Sequence, residues 1–88
     1  MKGGGESMKE AHELTFDKAA IDVLMDENGD TITSLADALE ISRQALSQVF
    51  KGEHNFTYRG IVLFAKKYNL KPEQIYDIFV KPFLAQIA

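Results

Sequence analysis

Apolar residues recur along this chain at spacings of three and four, in stripes set apart by short polar stretches. Residues at that spacing share one face of an α-helix, so each stripe marks a helix with one side to bury. The stripes are Phe16, Ala19, Ala20, Val23 and Leu24; Leu35, Ala36 and Leu39; Leu46 and Val49; Ile61, Phe64, Ala65 and Tyr68; and Ile75, Ile78 and Phe79. No run alternates apolar and polar residues as a half-buried strand would, and the expected fold class is all-α with five helices. The second and third stripes are too short for helices that stand alone, so both must pack against the rest of the chain, with Ile41 as an anchor between them. Once Leu46 and Val49 face inward, the third helix turns Arg43, Gln44, Ser47, Gln48 and Lys51 outward, a face made for hydrogen bonding.

Capping residues set the boundaries. Thr15, Thr31, Ser42 and Thr57 each precede a stripe and are expected N-caps. Asn28-Gly29 and Gly52 suit the left-handed backbone that closes a helix. Gly60 falls inside the fourth helix, where it costs about 1 kcal/mol relative to alanine, and close packing against a neighbouring helix is expected there. Lys71-Pro72 opens the fifth helix, since proline favours the first helical position. Pro82 then interrupts or restarts the pattern. After it, Phe83, Leu84 and Ile87 form an apolar face with two readings: it folds back on the core, or it is part of a dimer contact. The chain therefore divides into a glycine-containing tail over residues 1–14, a helical domain over 15–80 and an apolar C-terminal extension over 81–88, with Met8 read as the native start and 1–7 as an added leader.

Composition narrows the chemistry. Eighty-eight residues make one small domain that buries about 60% of its unfolded surface. The absence of cysteine excludes disulfides, thiolate chemistry and cysteine-ligated zinc or iron–sulfur centres. No apolar run approaches the roughly 18 residues of a membrane span, and no signal-peptide core opens the chain, so a cytoplasmic location is expected. The net charge of −3 is unevenly placed. Residues 1–41 carry three lysines against ten carboxylates, a net of −7, whereas residues 42–71 carry six basic residues against Glu53, a net of +5. The outward face of the third helix begins where the sign changes, and a local positive field is what a polyanion meets.

The two central helices, aligned as a helix-turn-helix beginning at Ile32, resemble the Cro/repressor (XRE) family. The small residue of the first helix is matched by Ala36, and the apolar positions by Leu35, Leu39, Ile41, Leu46 and Val49. Ser42 matches the serine that opens the recognition helix and Gly52 the glycine that closes it. Phe64-Ala65-Lys66 and Leu70 with the Pro72–Phe79 helix match the later helices, so the likeness covers about residues 15 to 80. The ending from Tyr68 to Phe79 is similar to small phage and prophage repressor-like proteins of Gram-positive bacteria. One position departs: the family places glycine in the turn where this chain has Glu40, so either Glu40 takes a positive φ or the turn is built differently.

The resemblance implies a five-helix, lambda-repressor-like DNA-binding domain whose third helix enters the major groove. Arg43 would pair with guanine, Gln44 or Gln48 with adenine, and Ser47 at shorter range. Thr31, Thr33, Ser42, Lys51, His54, Asn55, Thr57 and Arg59 would contact the DNA backbone. The expected partner is a double-stranded DNA operator bound by a homodimer, with no enzyme activity, cofactor or membrane. The alternative is a protein-interaction module, an antirepressor- or antitoxin-like partner that keeps the fold and uses its acidic half. Rival sites are weak. Asp26-Glu27-Asn28-Gly29-Asp30 has calcium-loop spacing but Thr31 stands at the required glycine and no glutamate closes the loop. His12 in the tail and His54 in a loop have no companion ligands, so no metal site is expected.

Overall fold

The computed structural model describes residues 14–87, and the expected tail, with Met8 and His12, lies outside them except for Leu14. Within these residues every regular element is helical. α1 runs Lys18–Glu27, α2 Ile32–Ala38, α3 Arg43–Phe50 and α4 Tyr58–Tyr68. A last helical run begins with α5 at Pro72–Ile75, widens into a π-helical segment at Tyr76–Val80 and continues as α6 at Lys81–Ile87.

Thr31, Ser42 and Thr57 cap their helices as expected. Each hydroxyl oxygen accepts a backbone N–H three residues on: from Ser34 at 3.1 Å, Ala45 at 3.0 Å and Gly60 at 2.9 Å. Thr31 gains a reciprocal bond, its own N–H donating to Ser34 Oγ at 2.9 Å. Thr15 does not cap α1. That role falls to Asp17, whose carboxylate accepts from the Ala20 N–H at 3.1 Å, while the Thr15 hydroxyl donates to Asn55 Oδ1 at 3.3 Å. The later start changes the buried face. Ile21 is fully buried and Leu24 and Met25 pack against the core, whereas Ala19 and Val23, expected inward, are exposed. Phe16 is buried, but from the segment before the helix, so counting helical turns from it put the stripe out of phase.

The core gathers Phe16, Ile21, Leu35, Ala36, Leu39, Leu46, Val49, Phe64, Ile78 and Phe79. Leu14 already packs against it. Each fully buried large side chain contributes about 1.5–3 kcal/mol through area removed from water, which is how helices of seven and eight residues persist at α2 and α3. Phe56, a loop residue, sits at the hub of the aromatic set. Its ring meets Phe16 at 5.0 Å and Phe79 at 5.1 Å, both edge-to-face. Gly60 is buried near the start of α4, and the close approach there is not to a neighbouring helix: a side chain would come within 3.2 Å of Thr57 Oγ1 and 3.6 Å of the Phe56 ring.

Pro82 interrupts the α-helical pattern without ending the helical run. Lacking an N–H, it cannot donate to the Ile78 carbonyl one turn back, and its ring crowds that carbonyl. The helix widens before it, with Lys81 N–H donating to the Tyr76 carbonyl five residues back. The released Ile78 carbonyl accepts from Asp17 N–H at 2.8 Å, tying the start of α1 to the final helical run. The C-terminal apolar residues are covered only in part, Phe83 sharing a recess with Phe16, Phe56 and Phe79. Phe83, Leu84 and Ile87 remain 47%, 43% and 64% exposed.

Candidate nucleic-acid interface

α2 and α3 meet through a turn whose geometry follows from the end of α2. The last carbonyls of a helix have no partner inside it, and a left-handed residue just past the end lets two following N–H groups turn back to them. Here Glu40 N–H donates to Asp37 O at 3.1 Å and Ile41 N–H to Ala36 O at 3.1 Å. Glu40 takes a φ of 62°, so of the two alternatives posed by the sequence the residue accepts the left-handed backbone and the turn is built in the ordinary way. Ile41 then packs against the core and Ser42 caps α3.

α3 buries Leu46 and Val49 and leaves Arg43 and Gln44 exposed at its first turn, with Ser47 half-buried behind them. Ser42, Arg43, Gln44 and Ser47 share an open groove of about 550 Å³ with Ile32, the first residue of α2. Sequence reasoning gave Ile32 no part in this surface. It is half-buried, so one part of its side chain serves the core and the rest walls the groove. An apolar wall beside guanidinium and amide donors is the combination that meets a thymine methyl next to base edges in a major groove. Gln48 stands apart. It lines a second recess of about 340 Å³ with His54, Asn55 and Thr57, over an apolar floor of Leu39, Ile41, Ala45, Val49 and Phe56. The expected contacts thus fall into two sets, one at the start of α3 and one between α3 and the start of α4.

The remaining expected backbone contacts are exposed. Thr31 and Thr33 lie at the start of α2, Lys51 just past α3, and His54, Asn55, Thr57 and Arg59 on or before the first turn of α4. The capping hydroxyls of Thr31, Ser42 and Thr57 accept from backbone N–H groups and keep their own hydrogens to donate.

Charge pairing divides the basic residues further. Arg59 donates to the Glu40 carboxylate across the turn, and that hydrogen bond holds the guanidinium pKa above its usual value. Lys67 lies 3.2 Å from Asp30. Asp30 is the meeting point of a small network: Tyr68 Oη donates to it at 2.7 Å and Ser34 Oγ at 2.8 Å. The Tyr68 bond, with those of Ser34 and Lys67, holds the Asp30 carboxyl below its usual range against the opposing effect of burial. Burial, then the Asp30 bond, pushes the Tyr68 phenol up. Among the described residues Arg43, Lys51, Lys66, Lys71 and Lys81 form no ion pair, and of these Arg43 and Lys51 lie at the two ends of α3.

The profile of the helix-turn-helix family HTH_3 matches residues 23–75, more than half of the chain and the span from α1 to α5. The chain belongs to this helix-turn-helix family. Comparison with curated proteins and with solved structures returns no match. The match covers the α2–turn–α3 unit whole, together with the α4 start that carries Thr57 and Arg59. The helix-turn-helix domain is thereby of the DNA-binding transcription-regulator type. Among its described residues no helix is long and apolar enough to cross a membrane.

Proposed function

We propose that this helix-turn-helix protein is a sequence-specific repressor or Cro-like regulator of the phage type, acting in the cytoplasm by occupying a double-stranded operator. The observation that carries the reading is the groove at the start of α3, where Arg43, Gln44 and Ser47 stand together beside Ile32. α3 lies in the major groove. Arg43 reads guanine bidentately and Gln44 reads adenine, each good pair giving about 1–3 kcal/mol of discrimination. Ser47 contacts at shorter range, and Gln48 reads from the second recess. Thr31, Thr33, Ser42, Lys51, His54, Asn55 and Thr57 hold the backbone. One such helix reads few base pairs, and a two-fold dimer with half-sites about 34 Å apart multiplies the specificity. The exposed Phe83, Leu84 and Ile87 support a C-terminal dimer contact.

The test begins with selection of bound sites from random duplex. Arg43→Ala is expected to relax preference at one base position, losing about 10- to 100-fold in discrimination there. Lys51→Ala is expected to weaken all sequences alike and to reduce the salt slope by about 1. Absence of binding to any duplex at about 50 mM salt would overturn the reading in favour of the protein-interaction module.

A further inference from the structure

Among the described residues four left-handed positions close helices: Gly29 at φ 67°, Glu40 at 62°, Gly52 at 84° and Asn69 at 53°. Glycine and asparagine hold that backbone readily, whereas glutamate carries a Cβ that crowds the neighbouring carbonyl and has no short polar group to compensate. The end of α2 explains why position 40 is left-handed. It does not explain the glutamate.

Stability does not explain it either. The Glu40 and Arg59 side chains are 56% and 71% exposed, and ion pairs in water contribute little to folding because solvent screens them and both chains lose freedom. A strained residue held without a gain in stability points towards function. The position of the pair supplies one. Glu40 lies two residues before Ser42, the cap of α3, and Arg59 two residues after Thr57, the cap of α4, so the pair bridges two of the helix starts assigned to DNA above.

We propose that Glu40 is a built-in counter-ion that withholds Arg59 from DNA phosphates, so that the domain grips the backbone less tightly than its count of basic residues allows. The proposal rests on the DNA-binding reading. A phosphate approaching Arg59 must displace a carboxylate tethered beside it, and the carboxylate repels that phosphate. Glu40 is then a positioning residue acting through Arg59. It sets affinity for every sequence alike and leaves base choice to Arg43, Gln44 and Ser47. Since non-specific binding is almost wholly electrostatic, the device limits the time spent on unrelated DNA.

The experiment measures binding of the full chain to a random-sequence duplex and to a selected site between about 50 and 200 mM salt, for wild type, Glu40→Gln, Arg59→Ala and the double variant. Glu40→Gln keeps the side-chain shape and the left-handed backbone and removes only the charge. It is expected to bind both duplexes more tightly, with unchanged base preferences and a slope of log affinity against log salt steeper by about 0.9, a roughly threefold larger loss of affinity across that range. In the Arg59→Ala background the same change is expected to leave the slope unaltered. An unchanged or shallower slope in Glu40→Gln, or a steeper one that persists without Arg59, overturns the role of Glu40 alone. A wild-type chain that binds neither duplex overturns the DNA-binding reading, and the role of Glu40 with it.

Discussion

The turn after α2 and the turn after α3 are made by the same two hydrogen bonds and by different residues. Past α3, Gly52 N–H donates to Val49 O and Glu53 N–H to Gln48 O, both at 3.0 Å, matching the bonds that Glu40 and Ile41 return to α2. Asp30 and Leu70 return the equivalent bonds after Gly29 and Asn69, at 2.8 Å to Met25 O and 2.9 Å to Ala65 O. The backbone path is therefore dictated by the unpartnered carbonyls at each helix end. The residue that follows the path is a separate matter. At Gly52 it is the type that path prefers, and at Glu40 it is a type the path tolerates in exchange for a carboxylate beside Arg59.

Substituting each turn residue tests whether the two differ as argued. Gly52→Ala adds a Cβ to a backbone at φ 84°. It is expected to cost about 1–2 kcal/mol and to lower Tm by at least about 4 °C in thermal unfolding. A neutral result would mean that this turn relaxes into another form, and the likeness between the two would fail. Glu40→Gly runs the other way. It removes the strain and adds some backbone entropy to the unfolded chain, for an expected net gain of about 0.5–1 kcal/mol and a Tm higher by roughly 2–6 °C. A lower Tm would show that Glu40 stabilises its turn after all.

What the sequence made legible follows the same division between backbone demand and long-range pairing. α2, α3 and α4 were legible because a capping hydroxyl and an apolar stripe fall in order along the chain, with Gly52 as a left-handed closer after α3, each a local signal. The buried face of α1 was not, because Phe16 belongs to the core without belonging to the helix. Phe56 carries no periodic signal at all, being a single loop residue whose importance comes from Phe16 and Phe79 meeting it from distant segments. The outward face of α3 was read from its period, whereas its division into an Arg43–Gln44–Ser47 groove and a separate Gln48 recess depends on where Ile32 and the loop before α4 arrive. The Glu40–Arg59 pair joins residues 19 apart on exposed surface, where no hydrophobic pattern reports a neighbour.

The smallest expected effect concerns a third closing turn, where Gly29 hands the chain to Asp30. There the left-handed backbone falls on glycine, which holds it without strain, and the charge on the next residue, so the two demands that coincide at Glu40 are met separately. Asp30 is held below its ordinary value of 3.8, chiefly by the Tyr68 hydroxyl. A carboxyl with a depressed folded pKa binds fewer protons folded than unfolded, so its stabilising contribution is complete above the unfolded pKa and is lost as pH falls through that value towards the folded one. Asp30→Asn keeps an acceptor for Tyr68 and cannot titrate. Urea unfolding from about pH 6 to about pH 3 is expected to show wild type more stable at the upper end, with the gap narrowing as pH drops below about 4. A gap that stays constant would mean that Asp30 holds Tyr68 by shape rather than by charge. The carboxylate at Glu40 would then be the one at a helix-closing turn retained for its charge.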